Sequence, residues 1–191
     1  MTIYLIRHGK TEANEKHLYC GSTDLPLSDT GRRELVSRTV PENCRFFSSG
    51  LRRANETLEL LFGNVPYETV PGLREMDFGI FEMHSYEALK ATPAYIAWIT
   101  GDNEANSAPG GESGNQMRAR VLDAFRRIAA DGRDAVIVTH GGVIAAVMGF
   151  LFPEEHKNRY QWQCSCGSGY RLSFTNGTWT YAPDGANVPE K

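Results

Sequence analysis

The sequence has no long apolar run, no large excess of either charge and few cysteines, and each shortage narrows what the chain is. Its first stretch, "MTIYLIRHG", lacks a basic lead, and its apolar run is too short for a signal core or a membrane span. A cytoplasmic protein with no membrane partner is therefore expected. The formal net charge is -3 and basic residues are scattered among acids, which leaves no footprint for nucleic acid. A local positive pocket is still compatible with that total. In such a compartment Cys20, Cys44, Cys164 and Cys166 read as free thiols. Cys164 and Cys166 form a C-x-C, but no second Cys/His pair stands at zinc-finger spacing, so no structural metal is expected. Repeats, low-complexity tracts and long linkers are also missing. The 191 residues, 41% hydrophobic and 23% charged, fit one soluble domain over 1–191, as a monomer or homodimer.

What is present is a set of short, continuous apolar runs: "TIYLI" (2–6), "RFF" (45–47) and "AVIVT" (135–139). Continuous rather than alternating runs mark strands covered on both faces of a parallel sheet. Helical patterns lie between them. "SDTGRRELVSR" opens with Ser28 as N-cap, and "LRRANETLELLF" lines up Leu51, Ala54, Leu58 and Leu61. "SGNQMRARVLDAFRRIAADG" starts with Ser113 and Gln116 at capping-box spacing and closes at Gly132. "GGVIAAVMGFLF" reads as a largely buried helix. Near the end, "YRLSFT", Asn176-Gly177 and "TWTY" predict an antiparallel hairpin with a type I′ turn. The expected architecture is a three-layer α/β/α sandwich with a mostly parallel sheet and this C-terminal antiparallel hairpin. Residues of about 79–111 are the least regular and predict a helical or loop excursion over the site.

The three runs end alike, in "LIRHG", "FFSSG" and "IVTHG". Carboxyl ends of parallel strands share one rim, where ligands bind, so His8, Ser48, Ser49 and His140 are expected to converge. Arg7 and the Arg52-Arg53 pair bring permanent positive charge, and the following helices aim N-terminal N–H groups at the same rim. Two histidines, at least two arginines and helix N-termini make an anion site, with phosphate the best match. Taken singly, each feature has a plainer reading: a hydrogen-bonded structural histidine, a solvated arginine, a glycine turn. Their conjunction on one rim favours the site.

"RHG", "SSGLRRANET" and "THGG", in this order, resemble the histidine phosphatase superfamily, also called phosphoglycerate mutase-like. "LREMDFGIFE" resembles its acid-bearing segment and "PGGES" one of its loops; the likeness runs from Thr2 to about Leu151. The resemblance implies that His8 is the nucleophile, giving a phosphohistidine. It implies that Arg7, Arg53 and His140 hold the phosphoryl oxygens. Helical periodicity alone does not choose between Arg52 and Arg53; the family's L-x-R-A pattern picks Arg53. The resemblance likewise makes Glu75 the proton donor, where the residues alone offer two acids, Glu75 and Asp77. Asn14 matches a phosphate-pocket position, although an Asn there also suits a helix cap, and Thr11 and Gly141 stand at the edge. No cofactor is implied.

Departures from the family fall on the leaving-group side. Cys20 stands where many relatives have Gln, Lys10 follows "RHG" where an acid is common, and "FGIFEM" replaces "FGDWEG", with Glu82 retained. Ile80, Phe81 and Met83 are expected to make that wall apolar, joined by Tyr86, Tyr95 and Trp98, with His84 and Lys90 its obvious cations. The implied activity is hydrolysis of a small-molecule phosphomonoester, nearest the α-ribazole phosphatase type and with α-ribazole 5′-phosphate as the example. The alternatives are a phosphoglycerate mutase and a non-catalytic module that binds phosphorylated ligands.

Overall fold

The computed structural model describes residues 1–39, 42–102 and 104–185; of the expected 1–191 unit, residues 40–41, 103 and 186–191 lie outside the described residues. In chain order the elements are β1 (Thr2–Arg7), α1 (Glu12–Glu15), α2 (Asp29–Glu34), β2 (Arg45–Ser48), α3 (Arg52–Phe62) and β3 (Glu68–Thr69). Then come α4 (Tyr86–Leu89), α5 (Pro93–Thr100), α6 (Gly114–Ala129), β4 (Ala135–Thr139), α7 (Gly141–Leu151), β5 (Gly169–Thr175) and β6 (Thr178–Asp184).

Among the described residues the strands form one sheet in the order β3-β2-β4-β1-β5-β6. The β1–β4, β2–β4 and β2–β3 pairs are parallel, and β5 and β6 add antiparallel strands beyond β1. Alternation along the central strands explains their continuous apolar character. Ile3, Leu5, Ala135 and Ile137 face a core shared with α6 and α7, while Ile6, Phe46, Val136 and Val138 face a second core with α3. Both faces are thus covered, and the sandwich expectation holds. The order also brings the ends of β1, β2 and β4 side by side, which is what gathers the site.

The Ser113/Gln116 capping box is present, but α6 stops at Ala129 and Gly132, at φ +71°, turns the chain towards β4. The α2 helix also ends early, at Glu34, because Leu35 turns extended and packs against the second core. Asn176 and Gly177 both carry positive φ, 51° and 81°, as a type I′ turn requires. β3 was not expected; its exposed Glu68 and Thr69 have no apolar pattern to announce them. All four cysteines are unpaired. Among the described residues no helix is long and apolar enough to cross a membrane.

Candidate active site

His8 follows directly on β1 and is buried. Its Nδ1–H donates to Gly9 O at 2.6 Å, which leaves Nε2 with the lone pair. The Gly9 peptide is itself held, since its N–H donates to Thr57 Oγ1 (2.9 Å) and that hydroxyl donates to Arg53 O (2.6 Å). Thr57 therefore couples the His8 ring to the helix that carries Arg53. Thr57 closes the "SSGLRRANET" motif, and nothing in its sequence neighbourhood signals this part.

His140, the N-cap of α7, is fully buried with its ring centroid 5.0 Å from that of His8. Arg53 Nε donates to its Nδ1 at 3.3 Å, and its Nε2 meets Ser49 Oγ at 2.8 Å. Burial, then the Arg53 and Arg7 charges, hold the His8 pKa well below the ordinary 6.5. His140 is lowered likewise, by burial first, then by Arg53, His8, Arg7 and Arg120. Both rings are neutral near pH 7, the form in which Nε2 of His8 is a nucleophile.

Arg53 is 1% exposed, whereas Arg52 turns outward, 3.7 Å from Glu56. The choice between them falls on Arg53. Its Nη1 and Nη2 donate to Thr23 O (2.8 Å) and Gly21 O (2.7 Å). Arg7 Nη1 donates to Cys164 O at 2.7 Å, while its buried Nε has no partner. Among the described residues neither guanidinium pairs with a carboxylate. Desolvated charge without a counter-charge is costly, and an anionic ligand would remove that cost.

The first turn of α7 sits between an arginine and an acid. A Cβ added at Gly141 would lie 3.3 Å from Arg7 Cζ, and one at Gly142 would lie 2.4 Å from Glu75 Oε1. A side chain at either position would push Arg7 or Glu75 out of its present place. Glu75 Oε2 accepts from Gly142 N and Oε1 from Met76 N, each at 2.9 Å. Asp77 instead caps its own turn, accepting from Gly79 N at 2.8 Å, so Glu75 is the acid at the rim. Arg120, which the sequence reading passed over, steadies this segment by donating to the carbonyls of Gly72, Arg74 and Glu75. Asn14 is the capping-box partner of Thr11: its Oδ1 accepts from Thr11 N and Oγ1, so its Nδ2 is what remains for a ligand. Lys10 pairs outward with Glu34 at 2.8 Å.

A cavity of about 700 Å³ opens beside Glu75 and Gly142, floored by Met76, Phe78, Trp98, Met117 and Trp162. The expected wall is corrected in part. Phe81 and Tyr95 are buried in an aromatic cluster with Trp98, and Ile80, Met83 and Tyr86 point to solvent, so of the named aromatics only Trp98 reaches the cavity. The opposite wall comes from residues 157–163, an irregular stretch that carried no signal in the sequence, and it brings Lys157 and Arg159. His84 and Lys90 do not line the cavity; Arg118 does, and no partner for it is found among the described residues.

A neutral, oriented imidazole with two guanidinium groups that have no carboxylate partner among the described residues makes a rim on this α/β sheet suited to an anion. The chain's residues 3–183 match the family model for the histidine phosphatase superfamily, branch 1. It is 34% identical to an adenosylcobalamin/α-ribazole phosphatase of Salmonella typhimurium, over 79% of each chain. It is 32% identical to phosphoglycerate mutase-like protein 4 of Arabidopsis thaliana, over 81% of this chain and 73% of that one. Its fold is similar to a candidate α-ribazole-5′-P phosphatase of Escherichia coli, at TM-score 0.82 and 25% identity, over 97% and 96% of the two chains. The chain belongs to the histidine phosphatase superfamily and is a phosphatase of that kind.

The lowered histidines make a stability prediction. Below pH 6.5 the unfolded chain binds protons that the folded chain refuses, so the contribution is whole above 6.5 and is lost as pH falls. The limiting slope is about 1.4 kcal/mol per pH unit for each histidine. The urea midpoint is expected to hold level from pH 8 to 7 and to drop between 6.5 and 5.5. A midpoint that is unchanged down to pH 5.5 would contradict buried, neutral rings.

Proposed function

We propose that this chain is a metal-independent phosphomonoester hydrolase that works through a phosphohistidine on His8. The observation that carries this reading is a pair of guanidinium groups without carboxylate partners among the described residues, Arg7 and Arg53, near a neutral imidazole whose Nε2 keeps its lone pair. His8 Nε2 attacks phosphorus as the ester P–O bond breaks, and Glu75 gives its proton to the departing alkoxide. Glu75, now a carboxylate, takes a proton from water as that water attacks the phosphohistidine, releasing phosphate and free His8. Arg7, Arg53, the Asn14 amide and the Gly141 backbone hold the phosphoryl oxygens and stabilise their charge in the transition state. His140 joins them by exchanging the Ser49 partner of its Nε2–H for a phosphoryl oxygen, while its Nδ1 goes on accepting from Arg53.

The substrate we propose is a small metabolite with an apolar-faced leaving group, α-ribazole 5′-phosphate being the model. The floor of Phe78, Met117, Trp98 and Trp162 supports this, as does the similarity to the Salmonella phosphatase. The second reading, a phosphoglycerate mutase, has Arg118 in its favour, a cation beside the cavity with no partner among the described residues. Lys157 and Arg159 add less, because each is already paired, with Glu155 and Glu104.

The test compares kcat/KM for α-ribazole phosphate, a nucleoside monophosphate, a sugar phosphate and 3-phosphoglycerate, with and without EDTA. The expected result is hydrolysis that survives EDTA and favours the ring-bearing substrates. Preference for 3-phosphoglycerate would overturn the substrate. Loss in EDTA that a divalent ion restores would overturn the arginine-based chemistry.

A further inference from the structure

Glu82 lies outside the site as described, yet its carboxylate takes on an unusual load. Oε1 accepts from Gly21 N, Ser22 N and Phe78 N, each at 3.0 Å. Oε2 accepts from Gly21 N (3.0 Å), Thr23 N (3.3 Å) and Thr23 Oγ1 (2.6 Å). Among the described residues no Lys or Arg forms an ion pair with Glu82, so peptide and hydroxyl donors alone satisfy it.

The loop that gives these N–H groups turns its carbonyls the other way. Gly21 O and Thr23 O receive the two Nη groups of Arg53. The Gly21–Ser22 peptide therefore lies between the Glu82 carboxylate on its N–H side and the Arg53 guanidinium on its C=O side, and the neighbouring peptides each meet one of the two charges. In that peptide each charge strengthens the bond made to the other. The same carboxylate also reaches the acid segment. Phe78 N is one of its donors, and Gly21 is pressed so closely on that segment that an added Cβ would lie 1.6 Å from Met76 O. Glu75 is the residue before Met76.

We propose that Glu82 is a positioning residue that locks Arg53 and the Glu75 segment into one geometry, through the 21–23 loop. The proposal rests on the phosphatase reading for its kinetic consequences, though not for its structural one. It also explains how the "FGIFEM" stretch serves the site although Ile80, Phe81 and Met83 do not line the cavity. Every group facing Glu82 is a donor, so an amide in its place sets NH2 against N–H or O–H.

Glu82→Gln is the test, read by vanadate inhibition, by two substrates and by the NMR signal of the Arg53 Nε–H. The vanadate Ki is expected to rise about tenfold, the size of one charge-assisted hydrogen bond. The kcat/KM is expected to fall by a similar factor or more, and further for an alkyl phosphate than for nitrophenyl phosphate. The Arg53 signal should broaden or exchange away at temperatures well below the melting temperature, where the protein is still folded. A folded Glu82→Gln protein with the wild-type Arg53 signal and vanadate Ki would overturn the proposal, whatever its activity. Should that variant not fold, Thr23→Val removes one donor only; an Arg53 signal unchanged in it counts against the proposal, and a broadened one supports it. If the wild-type protein neither turns over substrate nor binds vanadate, the phosphatase reading fails, and the Arg53 signal still decides the part played by Glu82.

Discussion

Replacing His8 with alanine is expected to lower kcat by roughly three orders of magnitude or more, as removal of a nucleophile does elsewhere. The imidazole is buried, neutral and fixed through Nδ1–H to Gly9 O, which leaves its Nε2 as the oriented nucleophile. His140 is not a ready understudy. Its Nδ1 already accepts from Arg53, and its Nε2 is engaged with Ser49. Because Arg7 and Arg53 remain, KM should change far less than kcat, within about threefold, which is the signature of a group needed in the transition state rather than for binding. A KM that rises by as much as kcat falls would make His8 a binding residue. Steady-state kinetics with nitrophenyl phosphate reads this directly.

Glu75→Gln is expected to show the second largest effect, and its size should depend on the substrate. Loss of a general acid costs about 10²- to 10⁴-fold where the leaving group needs a proton. Alkoxides need one and nitrophenolate hardly does, so the loss should be large for a sugar phosphate and below about tenfold for nitrophenyl phosphate. The geometry supports an acid in this place: the carboxyl is bonded to the first turn of α7 and lines the cavity proposed above for the leaving group. Equal losses on both substrates would remove Glu75 from the role of leaving-group acid.

The fold was legible where burial is two-sided. β1, β2 and β4 are covered on both faces, so their apolar runs are continuous, and their common endings pointed to a shared rim. β3 was not legible, because two exposed residues held by one ladder partner have no pattern of their own. Arg53 and Arg52 are adjacent on a helix, so periodicity did not separate them; the family resemblance chose Arg53, and packing buries it and leaves Arg52 solvated. The same is true of Glu75 and Asp77, both acidic and two residues apart, one bonded to α7 and the other to its own turn.

The leaving-group side was the least legible. An aromatic-rich excursion looks the same in sequence whether its rings line a pocket or pack on one another. Here Phe81, Tyr95 and Trp98 cluster among themselves. The facing wall is the irregular 157–163 stretch, where Trp162 is anchored by Tyr170 and Tyr181, more than half the chain away from His8. Nothing in local periodicity links such distant segments. Asn14 is an instance of two readings meeting in one residue, since its Oδ1 completes a helix cap while its Nδ2 remains for a ligand.

The central claim is that phosphorus passes through a covalent bond to His8. Rapid acid-free quenching during turnover, followed by peptide mass spectrometry, measures it most directly. The expected result is one phosphoryl group on the peptide that contains His8, lost in acid as phosphoramidates are, and absent from His8→Ala. A turning-over enzyme with no phosphoryl group on any peptide, or with an acid-stable one on another residue, would contradict the account.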